Sequence, residues 1–88
     1  MIHIIGTHEV ADRARWLASP KRAEVFGAMG IKIQTFIDAA APNKCGVLYE
    51  IPDDKLEAFK ILMASPAGKE AAESDGVKLN TLQVFIPS

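Results

Sequence analysis

Few side chains in this sequence combine a reactive type with a useful position: two histidines, one tyrosine, one cysteine and one tryptophan. His3 and Tyr49 occupy equivalent places in the two halves of an internal repeat. That equivalence is read as setting both on the helix-facing side of neighbouring strands. A histidine and a phenol in an otherwise apolar pocket can orient a phenolic or quinone-like molecule, or move a proton. The alternative reading is a buried tyrosine with its hydroxyl satisfied and a histidine near solvent at a strand end. His8 is placed at a strand-to-helix junction, a candidate by residue type, with packing or capping at the helix start, together with Thr7, as the alternative. Trp16, with Phe26, Met29 and Phe59, forms either the aromatic wall of that pocket or plain core. The candidate ligand-binding set is therefore His3, His8, Trp16 and Tyr49.

Other chemistries find no pattern to support them. His3, His8 and Glu50 lack the spacing of a metal site, so no metal is expected. Cys45 opens a strand without a Cys–His signature, which argues against nucleophilic catalysis. Asp53 and Asp54 read as helix capping rather than paired catalytic carboxylates. Gly27 and Gly30 lie in neither a GxGxxG nor a phosphate-loop pattern. No flavin or haem motif is visible, and no cofactor is expected.

Composition narrows the classes further. The chain has 88 residues, enough for one modest core and one domain spanning 1–88. Ten Lys and Arg against eleven Asp and Glu give a net charge of −1. A nucleic-acid binder or a polybasic membrane anchor would carry a basic excess. The single cysteine excludes an internal disulfide framework. No apolar run reaches the ~20 residues of a membrane span. The opening residues from Met1 to Gly6 are too short and uncharged for a signal peptide. The expectation is a soluble, cytoplasmic protein.

The apolar residues fall into four extended runs and two helical stretches. Ile2–Ile5, Ile31–Ile37, Cys45–Ile51 and Leu79–Ile86 read as strands, the second by clean alternation and the third and fourth closed by Pro52 and Pro87. Ala39 to Lys44, with Pro42 and Asn43, reads as the turn of an antiparallel hairpin. Residues 8–29 and 53–75 read as helical. Val10, Ala14, Leu17 and Ala18 mark the apolar stripe of the first stretch, and Leu56, Phe59, Leu62 and Met63 that of the second. Asp54 and Glu57 resemble a capping box. Ser19-Pro20 and Ser65-Pro66 each mark a break and restart, since serine caps a helix and proline suits its first position. Gly30 and Gly76 stand where a helix ends in a residue of positive φ.

These signals repeat at an offset of 46 residues: Ala18, Ser19, Pro20, Glu24 and Gly30 are identical to Ala64, Ser65, Pro66, Glu70 and Gly76. Each half is a strand, a broken helix and a strand. Two such units predict an α+β, ferredoxin-like βαββαβ fold, a four-stranded antiparallel sheet with two broken helices on one face. Strand alternation then assigns Phe36, Leu48 and Phe85, among Lys32, Gln34 and Glu50, to the other face. In the fourth strand it sets Leu82, Val84 and Ile86 on one side and Leu79, Thr81, Gln83 and Phe85 on the other. Large apolar side chains in one contiguous patch predict a partner, and a second copy meeting sheet to sheet is the simplest one.

The chain resembles the dimeric α+β barrel superfamily, and within it the small proteins related to antibiotic-biosynthesis monooxygenases and stress-responsive barrel domains. The residues that carry the resemblance are His8-Glu9-Val10-Ala11-Asp12 with Trp16 four residues on, Gly30-Ile31, Tyr49-Glu50, Ala58-Phe59, Ala64-Ser65-Pro66 and Asp75-Gly76-Val77. The resemblance implies two sheets closed into a barrel by dimerisation, with a small organic molecule held between the sheet and helices of each protomer. It implies a pocket-adjacent His8.

Two functions follow as expectations. One is a homodimeric small-molecule-binding protein, with cofactor-independent monooxygenase-like turnover of an apolar aromatic or quinone-like ligand left open. The alternative is a non-catalytic structural or stress-related dimer whose pocket is filled by its own side chains. An RNA-binding module using Phe36 and Phe85 for base stacking fits poorly with the near-neutral charge and with Asp38 and Glu50 on the same face.

Overall fold

The computed structural model describes residues 1–88. The elements run β1 (Ile2–Val10), α1 (Arg13–Ala18), α2 (Lys21–Ala28), β2 (Lys32–Ile37), β3 (Lys44–Ile51), a 3-10 turn (Asp53–Lys55), α3 (Leu56–Ala64), α4 (Pro66–Ser74) and β4 (Val77–Phe85). The four strands form one antiparallel sheet in the order β2-β3-β1-β4, the ferredoxin-like arrangement the repeat predicts. No helix is long and apolar enough to cross a membrane.

The breaks fall where serine and proline place them, but the two serines act differently. Ser65 ends α3 and starts α4: its hydroxyl donates to the Leu62 carbonyl (2.7 Å) and accepts from the Gly68 N–H (3.0 Å), with Pro66 in the first turn. Ser19 turns its hydroxyl to Asp75, 2.9 Å from each carboxylate oxygen, and so ties the first helical break to the end of α4. Gly30 and Gly76 both carry positive φ, 72° and 85°, as helix-terminating residues. Asp12 caps α1 by accepting from the Arg15 N–H. The expected capping box at Asp54 and Glu57 does not form; the chain enters α3 through the 3-10 turn, with no side-chain cap.

Three further expectations are corrected. First, residues 8–10 are strand rather than helix. β1 runs on to Val10 because it stays paired with β3 as far as Glu9↔Lys44 and with β4 as far as Val10↔Val77. Second, the apolar stripe of the first helical stretch is misplaced: Leu17 is exposed, and the residue α1 buries is Trp16. Third, β4 does not alternate throughout. Its pairing with β1 shifts between Thr7↔Gln83 and Glu9↔Lys78, leaving an odd surplus of residues on β4. The bulge is closed by Thr81, whose hydroxyl accepts from the Glu9 N–H (2.9 Å) and donates to the Lys78 carbonyl (2.6 Å). Side chains change faces across it, so Leu79 and Leu82, expected on opposite faces, line one cavity.

The core lies between sheet and helices. Ile4, Val10, Val47, Tyr49 and Ile51 rise from the sheet, and Ile31 precedes β2, to meet Trp16, Phe26 and Phe59. The opposite sheet face keeps large apolar groups in solvent in the single chain: Ile5, Phe36 and Phe85 are 45%, 47% and 53% exposed.

Candidate functional site

Alternation along β1 turns Ile4, Gly6, His8 and Val10 toward the helices and His3 to the other face. In β3 it turns Cys45, Val47, Tyr49 and Ile51 inward. The register pairs Tyr49 with Ile4, and His3 with Glu50. His3 and Tyr49 are therefore not companions. His3 is exposed, with Nε2 3.7 Å from Glu50 Oε1, and takes no part in the cavity. The 46-residue offset holds from the helices onward, but fails for the first strand of each half. The inward residues are even-numbered in β1 and odd-numbered in β3, so an even offset of 46 lays opposite faces over one another, and an odd slip is what reverses a strand's faces.

The other three candidates meet. His8, Trp16 and Tyr49 line a cavity of about 250 Å³ between the sheet and the helices, small for a ligand site but mostly apolar. Trp16 is fully buried, with the His8 ring edge-on at 5.3 Å. Tyr49 is wedged edge-on between Phe26 (5.1 Å) and Phe59 (5.0 Å). Leu62, Met63, Val77, Leu79 and Leu82 complete much of the wall.

The polar groups gather at one end. Arg22 on α2 lays its guanidinium over the Trp16 ring, 4.0 Å from the centroid, and donates through Nη2 to the Trp16 carbonyl at 2.6 Å. Its Nη1 stands 3.6 Å from Asp75 Oδ2, close enough to attract but too far for a hydrogen bond. Nε and Nη1 are both buried with no hydrogen-bond partner. Lys21 stands at the same end, its Nζ 4.0 Å from Asp75 Oδ1, and Lys69 also lines the cavity.

These surroundings set protonation states. Burial, then the Arg22 charge, pulls His8 below the usual 6.5, so its imidazole is neutral near pH 7. Burial pushes the Tyr49 hydroxyl up to about 12, with Arg22 opposing, so it remains a donor. Burial likewise raises Cys45 to about 11. Its sulfur lies 3.5 Å from His8 Nδ1, a contact between a neutral thiol and a neutral ring. The site thus offers a neutral imidazole, a phenol that donates a hydrogen bond while keeping its proton, and a positive charge beside an apolar wall. No group of three or more His, Cys, Asp or Glu side chains is arranged to hold a metal.

Arg22 was not among the sequence candidates, yet the repeat carried the signal. At the offset of 46, Trp16, Lys21, Arg22, Val25 and Phe26 correspond to Leu62, Ala67, Gly68, Ala71 and Ala72, and all ten line the cavity. The first half supplies bulk and charge; the second supplies Leu62 and four small residues at the equivalent places. That asymmetry leaves room which a symmetric repeat would have filled.

The sheet order and the paired broken helices define an α+β, ferredoxin-like fold. In particular, the chain is similar to a solved structure described as "Crystal structure of antibiotic biosynthesis monooxygenase", with a TM-score of 0.63 and 16% identity, covering 100% of this chain and 97% of that one. No family model and no curated protein sequence matches the chain.

Proposed function

We propose that the protein is a homodimer that binds a small, largely apolar molecule in the cavity of each protomer, with His8 and Tyr49 orienting it. The cavity itself carries this reading. An apolar chamber of about 250 Å³ that brings together His8, Tyr49 and Arg22 is more than a core needs for packing. Neutral His8 is suited to accept a proton from a phenolic or quinol-like ligand, and protonated Tyr49 to hydrogen-bond a ligand oxygen. Monooxygenase-like turnover without a cofactor is compatible with such a site, and the likeness to an antibiotic biosynthesis monooxygenase supports it at the level of fold. The alternative of a pocket filled by the protein's own side chains is disfavoured by the same open volume.

The exposed Ile5, Phe36 and Phe85 support the dimer: they lie on the sheet face away from the helices and form a patch that a second sheet would cover. Native mass spectrometry of protein purified from its source tests both parts. The expected result is a dimer retaining a small organic molecule, converted to monomer by Phe36→Glu. An empty monomer in the unaltered protein contradicts the proposal, and unchanged association in Phe36→Glu contradicts the interface.

A further inference from the structure

We propose that the cavity's ligand carries one carboxylate on a one- or two-ring apolar body, and that Arg22 receives that carboxylate. The inference rests on the reading of the cavity as a small-molecule site and adds the ligand's chemical class.

Arg22 is an unusual residue to leave incompletely paired. Its side chain is only 13% exposed, and an arginine side chain keeps its charge in a protein. A guanidinium has five N–H bonds, and here only Nη2 has a hydrogen-bond acceptor, the Trp16 carbonyl. Each buried donor without a partner costs about 1–3 kcal/mol, more when it is charged. A purely structural ion pair would close that gap, yet Asp75 stays 3.6 Å from Nη1 while Ser19 holds its oxygens at 2.9 Å. The guanidinium is instead fixed by Trp16, through the cation–π contact with its ring and the carbonyl at Nη2. Trp16 thus fixes the guanidinium, while Nε and Nη1, both buried beside the cavity wall, are left without an acceptor.

Charge selects the sign of that acceptor. The charged residues bordering the cavity are Lys21, Arg22, Lys69 and Asp75, three positive against one negative, with His8 and Tyr49 neutral at pH 7. A cationic ligand would meet the excess; an anionic one is drawn in. The apolar wall limits the anion to a small, singly charged group, because a phosphate dianion would need more donors than one partly committed guanidinium supplies. A carboxylate matches the flat geometry of a guanidinium and the strength of charge-assisted hydrogen bonding. The wall and volume admit a ring body behind it.

Matched pairs of probes test this by isothermal titration at pH 7: benzoate with benzamide, and 2-naphthoate with 2-naphthamide. Within each pair the shape is nearly constant and the charge differs. The wild-type protein is expected to bind the carboxylate about tenfold or more tightly than the amide. In Arg22→Gln the ratio is expected to fall to about one, with amide affinity changed by less than about threefold, and Arg22→Lys is expected to recover part of the preference. Circular dichroism confirms that each variant is folded. Equal affinity for acid and amide in the wild type overturns the role of Arg22 while leaving the small-ligand reading intact. A preference that persists in Arg22→Gln overturns it too. Failure of all four probes to bind the wild type counts against the small-ligand reading itself, and this inference falls with it.

Discussion

The Arg22 guanidinium carbon lies over the Trp16 ring, 4.0 Å from its centroid, and Nη2 is anchored to the same residue's carbonyl at 2.6 Å. One residue thus supplies both the platform and the tether for the only positive charge buried in the cavity wall. Trp16 also meets His8 on its edge, so it positions two of the site's polar groups together.

If the cation–π contact contributes as the geometry implies, Trp16→Phe and Arg22→Gln are not additive. Each is expected to lower stability in urea unfolding, and the double-mutant cycle to return a coupling of about 0.5–2 kcal/mol. The Trp16 carbonyl survives in Trp16→Phe, so the coupling reports the ring rather than the hydrogen bond. Additivity within about 0.3 kcal/mol would show that the contact contributes little.

Gly68 is required for a reason other than backbone freedom. A Cβ at this position would collide with the Leu62 carbonyl oxygen, which already accepts from Ser65, and would press on the Ser65 hydroxyl. Gly68→Ala is expected to lower stability by about 1–3 kcal/mol by forcing the α3–α4 junction apart. Denaturant unfolding followed by circular dichroism measures it, and a neutral or stabilising effect would contradict the close approach of the two helices.

His8 makes the fold sensitive to acid in a defined direction. Its pKa is lowered in the folded state, so the unfolded chain takes up its proton first as pH falls through 6.5. In that window the unfolded state binds more protons, and stability declines with falling pH. In unfolding experiments from pH 7.5 to 5, His8→Gln is expected to lose less stability than wild type, because titrations common to both proteins cancel. Parallel pH profiles would mean that the imidazole can charge without leaving its place.

The topology was legible because repeated local signals agreed with one another. Ser-Pro breaks, terminating Gly30 and Gly76, and alternation in β2 all specify the same βαββαβ chain. What escaped was set by long-range pairing. The 46-residue offset, valid for the helices, sets His3 and Tyr49 on one side, but the inward residues are even-numbered in β1 and odd-numbered in β3. The odd residues of the β4 bulge, held by Thr81, brought Leu79 and Leu82 to one face, against their alternation. His8 was found as a candidate but in the wrong element, because nothing local shows that β1 continues to Val10. Arg22 stands on a short helix, and no motif in the sequence marks it. Only the comparison with Gly68, Ala71 and Ala72 in the other half shows that space has been left beside it.

That space is the centre of the account, and the repeat itself suggests how to remove it. Ala72 lines the cavity at the place where the first half has Phe26. Ala72→Phe adds a ring to the open volume and should leave the sheet, the Ser65 cap and Arg22 where they are. Titration with 2-naphthamide, followed by the fluorescence of Trp16, the one tryptophan in the chain, compares this variant with wild type. The expected result is binding weakened by about tenfold or more in a variant that remains folded and at least as stable as the parent. Binding at wild-type affinity in a folded Ala72→Phe protein would show that the ligand sits elsewhere.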